Sequence, residues 1–166
     1  SDIMLHAGFL PEPGHPDRKP FLDTLAKVSQ LAKEKNITVA FETGQESADL
    51  LRRTLDDLKC PNLKINFDPA NMILYDMGDP IRAVEILGPD IRSVHVKDAI
   101  RTKVKGTWGE EVPLGKGEVN IQRFVDTLKK VGYRGALCIE REVGNQEQRI
   151  VDIAHGIRVL KECLGA

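Results

Sequence analysis

No run of this sequence is apolar for long enough to cross a bilayer, and no cleavable leader opens it, so neither a membrane span nor export is expected. Cysteine is scarce. Cys60, Cys138 and Cys163 are odd in number and lack the paired spacing of a metal finger, which points to a reducing, cytoplasmic setting rather than a disulfide scaffold. An excess of either charge is missing too. A formal net charge of -1 provides no bulk attraction for nucleic acid or an anionic membrane. What remains is 41% hydrophobic and 30% charged, enough apolar material for a core and too much for a disordered composition. A chain of this length reads as a single domain over residues 1–166.

Taken in order, the chain alternates two kinds of pattern. Residues 3–9 form an apolar strand candidate, and the proline-rich stretch 11–16 forces a loop. From Pro20 to Asn36, Phe21, Leu22, Leu25, Val28, Leu31 and Ala32 recur at helical spacing. A strand at 37–41 is followed by a helix that Ser47 caps, and a strand at 63–67 runs into Asp68. Asp79-Pro80 marks a helix start, closed by Gly88-Pro89. Then come a strand at 91–96, a loop from Ala99 to Glu118, a helix capped by Asn120, a strand at 136–139 and a helix from Asn145 to about Cys163. Five βα units in succession imply parallel strands with right-handed crossovers.

Side chains alternate along a strand, so each strand has two faces. Val39 and Phe41 oppose Ala40 and Glu42, while Ile65 and Phe67 oppose Asn66 and Asp68. Val94 and Val96 oppose Ser93 and His95, and Leu137 and Ile139 oppose Cys138 and Glu140. An open doubly wound sheet would be apolar on both faces. One apolar face and one polar face that ends in Glu42, Asp68, His95 and Glu140 instead predicts an α/β fold of parallel (β/α) TIM-barrel type, whose site lies at the C-terminal strand ends. Three carboxylates and an imidazole converging there would repel one another without a cation. Their oxygen-rich donor set suits Mn²⁺, Mg²⁺ or Co²⁺, with Zn²⁺ as a further candidate. Such an ion would acidify a C–H bond beside a carbonyl and stabilise the enediolate, with Glu42 and Glu140 as the acid–base pair.

With these residues in place, the chain resembles the xylose isomerase-like TIM-barrel superfamily of sugar and sugar-phosphate isomerases and epimerases. The resemblance covers essentially the whole chain and implies a partial barrel corresponding to strands 4–8. It makes Glu42, Asp68, His95 and Glu140 the metal ligands and the two glutamates the acid and base. It also places Arg101 on substrate oxygens and makes Pro113 to Glu118 the loop before the seventh helix. Asn71 stands where the ketose 3-epimerase branch has histidine. Asn71, Lys97, Asp98, Arg101 and Trp108 complete the expected substrate-binding set, whereas Glu142 reads as a solvated rim charge and His155 as structural.

The expected activity is isomerisation or epimerisation of a sugar or sugar phosphate. A polyol dehydratase of the inosose type would use the same site, and a non-catalytic half-barrel that only binds ligand or assembles is the reading from another class. Five strands leave two open edges, so a homo-oligomer is expected.

Overall fold

The computed structural model describes residues 1–165. Five strands form one parallel sheet: β1 (Asp2–Leu5), β2 (Thr38–Glu42), β3 (Leu63–Phe67), β4 (Ile91–Val96) and β7 (Leu137–Ile139). Their order across the sheet is their order along the chain. The sheet curls as half a barrel, the α/β architecture of a partial TIM barrel.

Its convex face is covered by α1 (Arg18–Glu34), α2 (Ala48–Leu58), α4 (Pro80–Leu87), α5 (Ile121–Lys130) and α6 (Gln146–Leu164). The residues of alternating parity do the packing. Val39, Phe41, Ile65, Phe67, Val94 and Val96 are buried with Leu51, Val84, Leu87, Phe124 and Leu128 from the helices in one continuous core. Helix starts follow the expected caps. Ser47, Asp79 and Asn120 each accept a backbone N–H from the first turn of α2, α4 and α5.

Three elements differ from expectation. The first strand stops at Leu5 rather than Phe9, because β1 pairs with β2 alone and that ladder ends at Leu5 opposite Phe41. The stretch after Asp68 is a short helix, α3 (Pro69–Leu74), which Asp68 caps. The region expected to be a long loop instead contains an antiparallel hairpin, β5 (Asp98–Ile100) and β6 (Glu110–Val112), with Trp108 in the segment that joins them. Among the described residues no helix is long and apolar enough to cross a membrane.

Candidate metal centre

Parity delivers four donors to one place. Glu42 ends β2, Asp68 follows β3, His95 lies in β4, and Glu140 follows β7. The Glu140 amide donates to Val96 O at 3.2 Å, which fixes its height beside β4. One donor atom from each residue lies within 4.8 Å of all the others, a spacing that could hold a metal ion.

Each side chain is aimed by its neighbours. Thr43 Oγ1 accepts the Asp68 amide at 2.9 Å and donates to the Asp68 carbonyl at 3.1 Å, so the end of β3 is clamped to the end of β2. Asp68 Oδ1 then accepts the amides of Ala70 and Asn71 at 2.8 and 3.1 Å. Gly44 allows the closeness of the next contact. Its φ is +142°, and a side chain there would overlap Asn71 Cβ. Asn71 Nδ2 donates to Glu42 Oε1 at 3.2 Å.

His95 Nδ1 stands 3.3 Å from Glu42 Oε1 and 3.3 Å from Glu140 Oε2. Hydrogen bonds to Glu140 and Glu42 raise the imidazole to about 10, against the opposing effect of burial. Glu140 is lowered to about 2, chiefly by His95 and further by Lys97. Asp68 is 0% exposed, and burial pushes its carboxyl up to about 6 although the Lys97 ammonium acts the other way. Lys97 Nζ is 3.3 Å from Asp68 Oδ2 but poorly aligned with it, so that buried oxygen accepts no hydrogen bond. An orphaned buried carboxylate oxygen in a ring of carboxylates and imidazole is a place that a divalent cation fits.

The other expected site residues divide. Asn71 and Lys97 join the cluster. Lys97 has a side chain only 1% exposed and also contacts Glu140 Oε2 at 3.0 Å and Glu142 Oε2 at 2.5 Å. Asp98 faces the loop instead. Its Oδ1 accepts the amides of Ala99 and Val119, its Oδ2 those of Gly115 and Gly117, and the residue is buried. Arg101 pairs with Asp76 and donates to Gly78 O, and Trp108 packs edge-on against Tyr75 with ring centroids 5.3 Å apart. These two residues are held by the segment after α3 rather than by the cluster.

Sequence reasoning missed the parts played by Glu142, Glu111 and Thr43, whereas His6, in the expected first strand, reads from the sequence as either a pocket-lining or a core histidine. Glu142 is not a free rim charge but the nearest partner of Lys97. Glu111 Oε1 accepts Arg141 Nη1 at 2.7 Å and the Glu142 amide at 3.0 Å, tying the hairpin to the end of β7. His6 Nε2 lies 3.3 Å from Glu42 Oε2. Thr43 carries no chemical signature that would single it out, but Glu142 shares parity with Glu140, which was the available signal.

Compared with known proteins, the family described as Xylose isomerase-like TIM barrel matches residues 1–163. The uncharacterized protein MJ1311 of Methanocaldococcus jannaschii is 27% identical over 98% of this chain and 56% of its own length. A putative L-ribulose-5-phosphate 3-epimerase, SgbU of Haemophilus influenzae, is 37% identical over 40% of this chain and 24% of its own. The crystal structure of a xylose isomerase domain protein from Planctomyces limnophilus superposes with a TM-score of 0.95 at 42% identity, covering 98% of this chain and 59% of that one. Two more distant structures share the fold. A Mycobacterium smegmatis protein in complex with magnesium has a TM-score of 0.72 at 18% identity, covering 95% of this chain and 53% of that one. The IOLI protein with a bound zinc atom has a TM-score of 0.72 at 14% identity, covering 98% and 61%. The chain thus spans little more than half the length of the first of these relatives and structures.

Proposed function

This chain belongs to the xylose isomerase-like TIM-barrel family, and from that premise we propose that it carries the metal-dependent half of a sugar or sugar-phosphate isomerase or epimerase. Glu42, Asp68, His95 and Glu140 would hold one divalent cation, with Mn²⁺, Mg²⁺ or Co²⁺ suited to the oxygen-rich set and Zn²⁺ to the histidine. The magnesium and zinc in the two structural neighbours support a divalent ion here. When bound, the ion supplies positive charge that offsets the carboxylates and polarises neighbouring substrate oxygens.

The chain's own groups do the rest. Glu42 and Glu140 each approach His95 Nδ1 at 3.3 Å and are the acid–base pair. One removes the proton from the carbon beside the substrate carbonyl. The other returns a proton to the resulting enediolate. Asn71 orients Glu42 through its amide. His95 and, further, Lys97 keep Glu140 ionised, and Arg101 and Trp108 lie on the loops available to bind substrate. We further propose that the chain assembles with a second copy, since β1 and β7 each have one unpaired edge in the sheet.

The observation that carries the reading is the convergence of four donors at the ends of four strands, one of them a buried carboxylate whose Oδ2 accepts no hydrogen bond. The test is incubation with ketoses and ketose phosphates in deuterated buffer with Mn²⁺. Deuterium entering at the carbon next to the carbonyl is expected, and both Glu42→Gln and Glu140→Gln should abolish it. Metal binding without exchange on any ketose would overturn the catalytic part. Release of water with the exchange would move the chemistry to a polyol dehydratase.

A further inference from the structure

Lys97 stands where a cation belongs. Of the two Asp68 oxygens, Oδ1 is occupied by two backbone amides, which leaves Oδ2 for an ion. That atom faces Lys97 Nζ at 3.3 Å. Glu140 Oε2, the second donor, is shared between His95 Nδ1 at 3.3 Å and Lys97 Nζ at 3.0 Å. The ammonium therefore competes for two of the atoms that a divalent ion would take.

The third partner of Lys97 is different in kind. Glu142 lies outside the four-donor group, yet its Oε2 is the closest of the three at 2.5 Å. Its backbone is held by Glu111, which is itself held by Arg141. Its side chain is 65% exposed, so it has room to follow a moving partner. Lys97 cannot retreat to water, because its side chain is 1% exposed and a buried ammonium needs a carboxylate beside it.

We propose that Lys97 is a tethered cation exchanged by the divalent ion. In the metal-free chain it holds Asp68, Glu140 and Glu142 together, and on metal entry it cedes Asp68 Oδ2 and Glu140 Oε2 while keeping Glu142. Glu142 is thus a positioning residue for Lys97 that sets metal affinity without touching the ion. The inference rests on the metal reading above and adds the exchange to it.

The test is calorimetric titration of the 166-residue chain with Zn²⁺ alone, for wild type, Lys97→Met, Glu142→Gln and the double variant. Lys97→Met removes the competitor and should tighten Zn²⁺ on the order of tenfold. Glu142→Gln takes away the ammonium's remaining partner and should weaken Zn²⁺ on the order of tenfold. In the Lys97→Met background, Glu142→Gln should then have no effect. A mere change in local charge would instead weaken binding equally in both backgrounds, and that result overturns the exchange. If Lys97→Met does not fold, the ¹⁵N resonance of Lys97 Nζ gives the answer. It should shift stoichiometrically with Zn²⁺ in the wild type, and an unmoved resonance overturns the exchange. Failure of the wild type to bind Zn²⁺ overturns the metal reading itself. Tight wild-type binding with four equal affinities overturns the exchange alone.

Discussion

Glu46, just ahead of the Ser47 cap of α2, is 7% exposed and has no cationic partner among the described residues. Burial raises its carboxyl to about 7, with backbone N–H groups of Gly44 and Gln45 pulling the other way. The unfolded chain releases this proton near 4.5, and the folded chain releases it near 7. Between those values the folded state binds more protons, so Glu46 costs stability as pH rises, by up to about 3 kcal/mol above pH 7. Glu46→Gln is expected to unfold at higher urea than wild type at pH 8, with the difference shrinking towards pH 5. A pH-independent difference would contradict this. At this scale the sequence was legible in one respect and opaque in another. Strand parity alone brought out Glu42, Asp68, His95 and Glu140, because a two-residue period determines which face each side chain takes. It could not pair Lys97 with Glu142, because that contact depends on the relative height of two strands, set by the ladder of Val94, His95 and Val96 against Leu137, Cys138 and Ile139.

Asp98 works at the level of an element. One buried carboxylate accepts four amides at 2.9 to 3.1 Å, that of its neighbour Ala99 in β5 and those of Gly115, Gly117 and Val119 in the loop between β6 and α5. Asp98→Ala leaves those donors without an acceptor and is expected to cost about 3 kcal/mol. Hydrogen exchange at Gly115, Gly117 and Val119 should accelerate with it, and unchanged protection there would refute the assignment. The hairpin has a second anchor. Arg141 bridges Glu111 and Asp152 with both carboxylates buried, whereas Lys19 and Asp23 pair in open solvent. Arg141→Met should therefore lower the urea midpoint clearly and Lys19→Ala should leave it in place. Equal effects would argue that the bridge is ornamental. Neither hairpin strand was legible in advance. Three residues such as Glu110, Glu111 and Val112 are too short to show a period, and the strands pair only because Asp98 and Glu111 fix the chain on either side. The Asp68-Pro69 pair did carry the same signal as Asp79-Pro80, but a six-residue helix offers no repeat to support it.

Across the whole molecule, the alternation of strands and helices was the most legible feature, since each strand's apolar face had to find a helix. The two ends of the sheet behave differently from its middle. Ile3 and Met4 of β1 are about half exposed, and an apolar cleft bounded by Leu137, Ile139, Ile153, Ile157, Leu160 and Leu164 runs beside β7. Light scattering of the purified chain is expected to give twice the monomer mass, and a monodisperse monomer would count against pairing of copies. β7 is also the shortest strand of the sheet, is held by β4 alone, and leads directly into Glu140. Glu42, Asp68 and His95 are carried by β2, β3 and β4 in the interior of the sheet, so the centre is completed only by an edge strand. During refolding, the capacity to bind a cation should be the final property recovered, well after the helical signal. Under mild denaturant it should be the first lost, through fraying of a single edge while the core of Phe41, Phe67 and Phe124 stays closed.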